Sequence, residues 1–422
     1  MSEVVVVGGG IMGLATATEL AKRGVRVTVL EKDRLGFEAS SRNMGAIGVL
    51  GKHAADIAAL SVDAWDRLDH DLPDSFDYLK TGRLYIAYTD DDRTKLEGMG
   101  EHAAAGGIPV ELLEPDAVRR RFPAVQIPTK GAVYSNLDAQ VHAESVVAAY
   151  GRAARAAGVV IDEGRRVDEV ILANGQAVGV HTDSGDVSAD AVLVAGGVWA
   201  WDLLEPLGLR YPHQIIALQN AETTPQSDVL PFFLRGPDYS ARQLSSGIIR
   251  LGGGYRIPGA WHSLGPQDFR NLTTWFPRLW QHRSELKLRV DKSMLARDLK
   301  AFVRRPAPAP RGFEPYVSAS NIEEKLKHLI EAVPALSGAR IATAWGGLVD
   351  MTPDALPVIG PVRAVPGLHV ALGFNGQGFG LGPVVGSLLA QAITNEDTEI
   401  PLTKYRPERF AEEKVPAPAH LI

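Results

Sequence analysis

Four consecutive valines, Val4 to Val7, run straight into Gly8, Gly9 and Gly10, and no other junction constrains the fold of this chain as much. A continuous apolar run of this kind predicts a parallel strand buried on both faces. Residues 11–23 follow with helix-forming side chains, and Gly24 stands where that helix should stop. Val25, Val27, Val29 and Leu30 then predict a second strand, which ends on Glu31. Strand, tight turn, helix and strand make one βαβ unit, the opening of a doubly wound sheet. Inside it, Gly8-x-Gly10-x-x-Gly13 has the spacing and context of a dinucleotide-binding turn. Gly8 permits the turn, Gly10 lets backbone approach a pyrophosphate, and Gly13 lets helix pack on strand. The helix start at Ile11 and Met12 offers N–H groups and a positive dipole end to phosphate. Glu31, 18 residues past Gly13, is placed to accept hydrogen bonds from ribose hydroxyls. NAD and FAD share these features, so the turn alone says dinucleotide and no more.

At 422 residues the chain exceeds what one hydrophobic core usually serves, which predicts two domains. A net charge of -6, with no Lys/Arg-rich run, argues against a nucleic-acid partner. Cysteine is absent, which removes disulfides, thiolate metal sites, a cysteine nucleophile and any flavin tethered through sulfur. HExxH, His-rich clusters, a P-loop lysine and a nucleophile elbow are missing too, so no metal is expected. No apolar stretch reaches the roughly 18 residues of a membrane span. The opening valines follow no basic leader, and the cytoplasm is the expected location.

Further along, residues 78–136 are irregular, with strand-like pieces at 82–88 and 131–134 and a helical piece at 91–105. The α/β pattern returns with a helix at 143–157, a strand at 159–162, a hairpin at 167–173 and 176–182, and a buried strand at 191–195. Residues 213–335 differ: strands such as 247–251 alternate with polar, Pro-rich and Trp-bearing segments. Gly-rich turns and one small-residue helix, beginning at Pro383, fill 341–394. The fold class expected is α/β with an α+β second domain. A Rossmann-like cofactor domain (1–77, 137–212 and 336–395) interleaves with an antiparallel-sheet substrate domain (78–136 and 213–335), and 396–422 form a tail.

Four later segments fall in an order that resembles the D-amino-acid oxidase, glycine oxidase and sarcosine oxidase superfamily of flavoproteins. Ser40-Ser41-Arg42-Asn43-x-Gly45 resembles its Ser-Ser-x-Asn-x-Gly loop. Residues 189–199, which include Ala195, Gly196, Gly197 and Trp199, are similar to its ADxVVxAAGxW strand and turn. Trp345-Gly346-Gly347 through Thr352-Pro353-Asp354 to Gly360-Pro361 resembles its WxGxRPxTPDxxPxxG segment. Gly373-Phe374-Asn375-Gly376-Gln377-Gly378-Phe379 is similar to its GHxxxGxxxxP turn, although the usual His is replaced by Phe374-Asn375. The resemblance implies non-covalent FAD. It adds Lys32, Ala46, Val167 and Gly347 to the cofactor contacts and places Asp354 at a turn near the flavin. The last helix would aim its positive end at the flavin edge that gathers charge on reduction.

The same resemblance implies oxidation of the C–N bond of an amino acid or secondary amine, with hydride passing to flavin N5 and the imine hydrolysing in water. A carboxylated substrate calls for an Arg, whose planar fork binds both oxygens. Arg242 is the first candidate, with Tyr239 and Tyr255 as hydroxyl partners and a surface Arg as the plain alternative. Arg235 and Arg256 rank lower, and His53 and Lys52 could reach the flavin face. Trp261, Trp275 and Trp280, within an insertion around 260–312, either cover the site, dock a partner or fill the core of the substrate domain. Oxygen or another carrier would accept the electrons, and homo- and hetero-oligomers both stay open. Two other readings are a 2-hydroxy-acid dehydrogenase and the flavoprotein subunit of a multi-subunit amine or opine dehydrogenase.

Overall fold

The computed structural model describes residues 2–256, 260–263, 271, 274–276, 280, 286–289 and 308–412. Much of the Trp-bearing insertion, the side chain of Trp261 and the end of the tail lie outside the described residues.

The opening valines form Glu3–Val7, the centre of a six-stranded sheet. Arg26–Glu31 and Val160–Glu163 follow on one side, both parallel; Ala191–Val194 and Leu368–Leu372 follow on the other, also parallel. Val358–Pro361 closes the edge in the antiparallel sense. Val4 and Val6 pack with the helix Ile11–Lys22 on one face, while Val5 and Val7 pack into a second core on the other. Burial on both faces is what selects an unbroken apolar strand over an alternating one.

The hairpin expected at 167–182 is observed, extended by Gly185–Ser188 into a three-stranded meander. The second layer is a ten-stranded, mainly antiparallel sheet that includes Arg83–Ala87, Gln214–Thr223, Phe233–Arg235, Ser240–Gln243 and Ile249–Gly252. Ile341–Met351 also joins it, pairing along the whole of Gln214–Thr223 although it follows the cofactor-side segments in sequence.

The last helix differs from expectation. It runs Gly378–Ile393 and holds Pro383 inside it, so the glycines before the proline are helical as well. Packing is the reason: Gly382 lies so close to Ile11 that a Cβ there would sit 2.5 Å from Ile11 Cγ1. Small residues let this helix press onto the helix of the glycine turn, and the two N-termini come to one cavity.

Trp275 is buried, with its indole donating to the Pro212 carbonyl at 2.7 Å. Trp280 stacks on Phe276 at 6.0 Å between centroids, and both are exposed. One indole of the insertion therefore fills core, as one of the readings has it, while Trp280 stays exposed. Among the described residues, no helix is long and apolar enough to cross a membrane.

Candidate active site

A cavity of about 370 Å³ runs from the glycine turn, between the two sheets, to the start of the last helix. At its first end the backbone sets the shape. Gly8 has φ of 110°, and a Cβ there would lie 2.5 Å from the Ala195 carbonyl oxygen, so no other residue fits. A Cβ on Gly13 would lie 2.0 Å from the Gly8 carbonyl oxygen, which is how closely this helix rides on its strand. Gly10 meets only the Ser40 hydroxyl, at 2.9 Å, and its outer side faces the cavity. Ser40 accepts a hydrogen bond from the Ile11 N–H at 2.9 Å, tying the Ser-Ser loop to the helix start.

Glu31 accepts from the Gly9 N–H at 2.7 Å and the Asp33 N–H at 2.9 Å while it lines the cavity. Burial raises its carboxyl above the usual carboxylate range, and those two N–H groups only partly offset the effect.

Of the residues expected to hold the cofactor, all line the cavity except Gly13, Ser41, Gly45 and Asp354. Gly13 serves packing, as above. The Ser41 N–H donates to the Gly36 carbonyl at 3.0 Å. Asp354 is paired with Arg409, at 2.8 Å from Nε and 3.2 Å from Nη2, both groups being buried. The C-terminal segment thus clamps the turn from behind. Nothing in the sequence of Arg409 announces that.

Above the Glu31 end lies a strap of residues 308–315. The Gly312 N–H donates to Asp33 at 2.9 Å, and Arg311 pairs with Asp183. Phe313 meets Trp199 edge-on at 5.6 Å, and Glu314 takes both Nη atoms of Arg42 at 2.6 Å. Pro308 and Ala309 line the cavity from this side.

Of the candidates for handling substrate, Lys52 and Arg235 line the cavity, while the first-ranked ones fall elsewhere. Arg242, Tyr239, Tyr255 and His53 do not line the cavity. Arg242 is fully buried against Gly45, and none of its three nitrogens has a hydrogen-bond partner among the described residues. Burial and the neighbouring Arg250 lower its pKa. Tyr239 is buried on the Tyr88 hydroxyl at 2.7 Å, and Tyr255 donates to the Ile86 carbonyl at 2.9 Å. Arg256 pairs with Asp92. His53 touches the last turn through its backbone N–H, which donates to Gln377 Oε1 at 3.3 Å.

Four other side chains take the wall at this far end: Lys52, Arg83, Tyr85 and Arg235. Arg83 and Tyr85 are two apart on one strand and so share a face. Arg83 Nε lies 3.0 Å from the Asp138 carboxylate, both side chains buried, and the guanidinium sits 4.5 Å from the Phe233 ring centroid. Arg235 donates to the Gly254 carbonyl at 3.3 Å and rests over the Tyr85 ring. Lys52 donates to the Gln377 carbonyl at 3.4 Å. Burial, together with Arg83 and Arg235, pushes the Lys52 ammonium down to about 7, against the pull of Asp138. Arg83 and Tyr85 were missed in the sequence, and the available signal was an Arg inside the apolar strand Arg83–Ala87.

Val349 and Asp350 stand where the resembled segment has Arg-Pro, and both line the cavity. Trp201 Nε1 donates to Asp350 at 2.8 Å and the Gly373 N–H at 2.7 Å, while burial raises its carboxyl to about 7.

A glycine turn with its carboxylate, a helix start at each end and a cavity joining them define a dinucleotide-dependent α/β protein. The chain belongs to the FAD dependent oxidoreductase family, whose pattern it matches over residues 3–392. It is 27% identical to sarcosine oxidase subunit beta from Arthrobacter sp, over 97% of this chain and 91% of that protein. Glycine oxidase from Pseudomonas putida is 25% identical over 96% of this chain and 98% of its own length. In fold it is similar to the solved structure of L-amino acid deaminase from Proteus myxofaciens, with TM-score 0.87 and 21% identity, covering 97% of this chain and 93% of that one. The protein is an FAD-dependent oxidoreductase.

Proposed function

We propose that this enzyme oxidises the C–N bond of an amino acid or secondary amine and holds the substrate carboxylate on Arg235. The observation that carries this reading is the far end of the cavity, where Arg235 and Lys52 face the space between the large sheet and the last turn. The relatives named for sarcosine and glycine oxidation support the substrate class. The residues of the glycine turn, Glu31, the Ser40 loop and the Gly373–Gly378 turn would hold FAD, which supplies a two-electron acceptor for the substrate hydride.

The protein contributes orientation and electrostatics. Arg235 presents a planar fork to a carboxylate, and the Tyr85 ring beneath it fixes the plane. Leu50 and Phe233 line the same region and exclude water. The cations here disfavour a second positive charge, so an amine bound beside them sheds its proton more readily, as oxidation requires. The released imine hydrolyses in water. On this reading the chain divides at 78, 137, 213 and 336, with strand Ile341–Met351 lent to the large sheet and 396–422 as the tail. A chain without cysteine suits the reducing cytoplasm.

Anaerobic mixing with amino acids, N-methylated amines and 2-hydroxy acids tests the proposal. Amines should bleach the visible flavin band, and bleaching by 2-hydroxy acids alone would overturn it. Arg235→Leu should raise KM for carboxylated amines about 10- to 100-fold, the worth of a charged hydrogen-bond pair.

A second reading, a flavoprotein subunit within a larger assembly, is favoured by the likeness to a sarcosine oxidase subunit and by the exposed Phe276–Trp280 stack. The mass of the natively purified protein separates the two.

A further inference from the structure

We infer that the site selects amines that carry two acidic groups, with Arg235 and Lys52 as the specificity-determining cations; this rests on the C–N oxidation proposed above. Three cations, Lys52, Arg83 and Arg235, face one compartment. Asp138 neutralises Arg83, 3.0 Å away. The other two have no carboxylate partner among the described residues. Their side chains donate to the carbonyl oxygens of Gly254 and Gln377, which accept a hydrogen bond but cancel no charge. Arg235 Nε is buried and has no hydrogen-bond partner among the described residues.

Two part-buried cations that repel each other favour anions that join them. One carboxylate satisfies one of them and leaves the other opposed by nothing. A dianion satisfies both, so the compartment favours an amino dicarboxylate over a simple amino acid. Among the acidic cavity residues, Glu31 and Glu38 belong to the glycine-turn end, Asp168 is paired with Arg166, and Asp350 is held by Trp201 and Gly373.

A pH signature goes with this arrangement. Lys52 is faced by Arg83 from one strand, by Arg235 from another, by Asp138 beside the 139–140 strand and by the neutral Gln377 turn. Burial alone would raise the Tyr85 phenol, but Arg83 and Arg235 bring it below its ordinary value, another mark of a positive compartment. With the Lys52 ammonium already at about 7, a bound dianion restores its proton, so binding takes up a proton and weakens as pH rises past that value.

The test uses the flavin-loaded enzyme and two readouts. Binding of succinate and malonate, against acetate and propionate, is followed by perturbation of the flavin spectrum. The kcat/KM values of aspartate, glutamate and iminodiacetate are compared with those of alanine, glycine and sarcosine. Dicarboxylates should bind about 30-fold tighter than monocarboxylates, as one further charge-assisted contact implies. Lys52→Met and Arg235→Leu should each shrink that ratio below about 3-fold with flavin still bound, Lys52→Arg should restore it, and the pH dependence of succinate binding should vanish in Lys52→Met. Equal binding of succinate and acetate, with amines still bleaching the flavin, overturns the dianion site and leaves C–N oxidation standing. Bleaching by hydroxy acids alone overturns C–N oxidation, while a preference for succinate over acetate would still uphold the paired cations.

Discussion

The two ends of the cavity are built from different materials. At the glycine-turn end the wall is main chain: a left-handed Gly8, a helix start and a Ser hydroxyl tied to a backbone N–H. At the far end it is side chain, with Lys52, Arg83, Tyr85 and Arg235 converging from three separate segments. A main-chain site demands particular residues at fixed spacing, because only glycine tolerates the geometry. A side-chain site demands only that some cation reach some point, and many arrangements of strands can provide it. The first end is therefore open to sequence reasoning and the second is largely closed to it.

The largest expected effect lies at the main-chain end. Gly13→Leu places a Cβ 2.0 Å from the Gly8 carbonyl oxygen, so helix and strand must part, and the purified protein should lack a visible flavin spectrum. A yellow Gly13→Leu protein would erase the contrast between the ends. Next comes the clamp behind the turn: Arg409→Leu strands the buried Asp354 carboxylate and should cost about 3–5 kcal/mol in denaturant unfolding of the holoprotein. A loss under 1 kcal/mol would show that the clamp is idle. The smallest effect belongs to the large sheet. Arg242→Met removes a buried cation that has no hydrogen-bond partner among the described residues, so stability should hold or rise by about 1–2 kcal/mol and KM should not move. A sharp rise in KM would return Arg242 to the substrate and redraw the far end.

Legibility followed the same divide. The βαβ opening and the hairpin at 167–182 could be placed in advance from their apolar and turn patterns, and the Ser40, Ala195 and Gly373 segments from their resemblance to the motifs of a known flavoprotein superfamily. Arg242 misled because it shares a face with Ser240, which lines the cavity, yet lies one step further along the strand, against Gly45, and no local signal in Ser240–Gln243 tells where along the strand the cavity ends. Arg83 was hidden for the opposite reason. It sits in the apolar strand Arg83–Ala87, where an ion pair with Asp138, 55 residues away, makes its burial possible. The helical span of the Gly378–Gly382 glycines also depends on a distant contact, with Ile11, which propensity cannot foresee.

The strap over the Glu31 end has a consequence for how long the enzyme stays loaded. In its Arg42–Glu314 pair the carboxylate is 62% exposed, and the partner of Asp183, Arg311, is likewise 43% exposed. Ion pairs so open to solvent weaken as ionic strength rises. The latch is thus salt-labile while the glycine turn beneath it is not. Concentrated salt should hasten escape of the dinucleotide, seen as recovery of free flavin fluorescence, without altering how tightly the turn itself is folded. Residence time, unlike affinity for the turn, becomes a property the surrounding electrolyte can set.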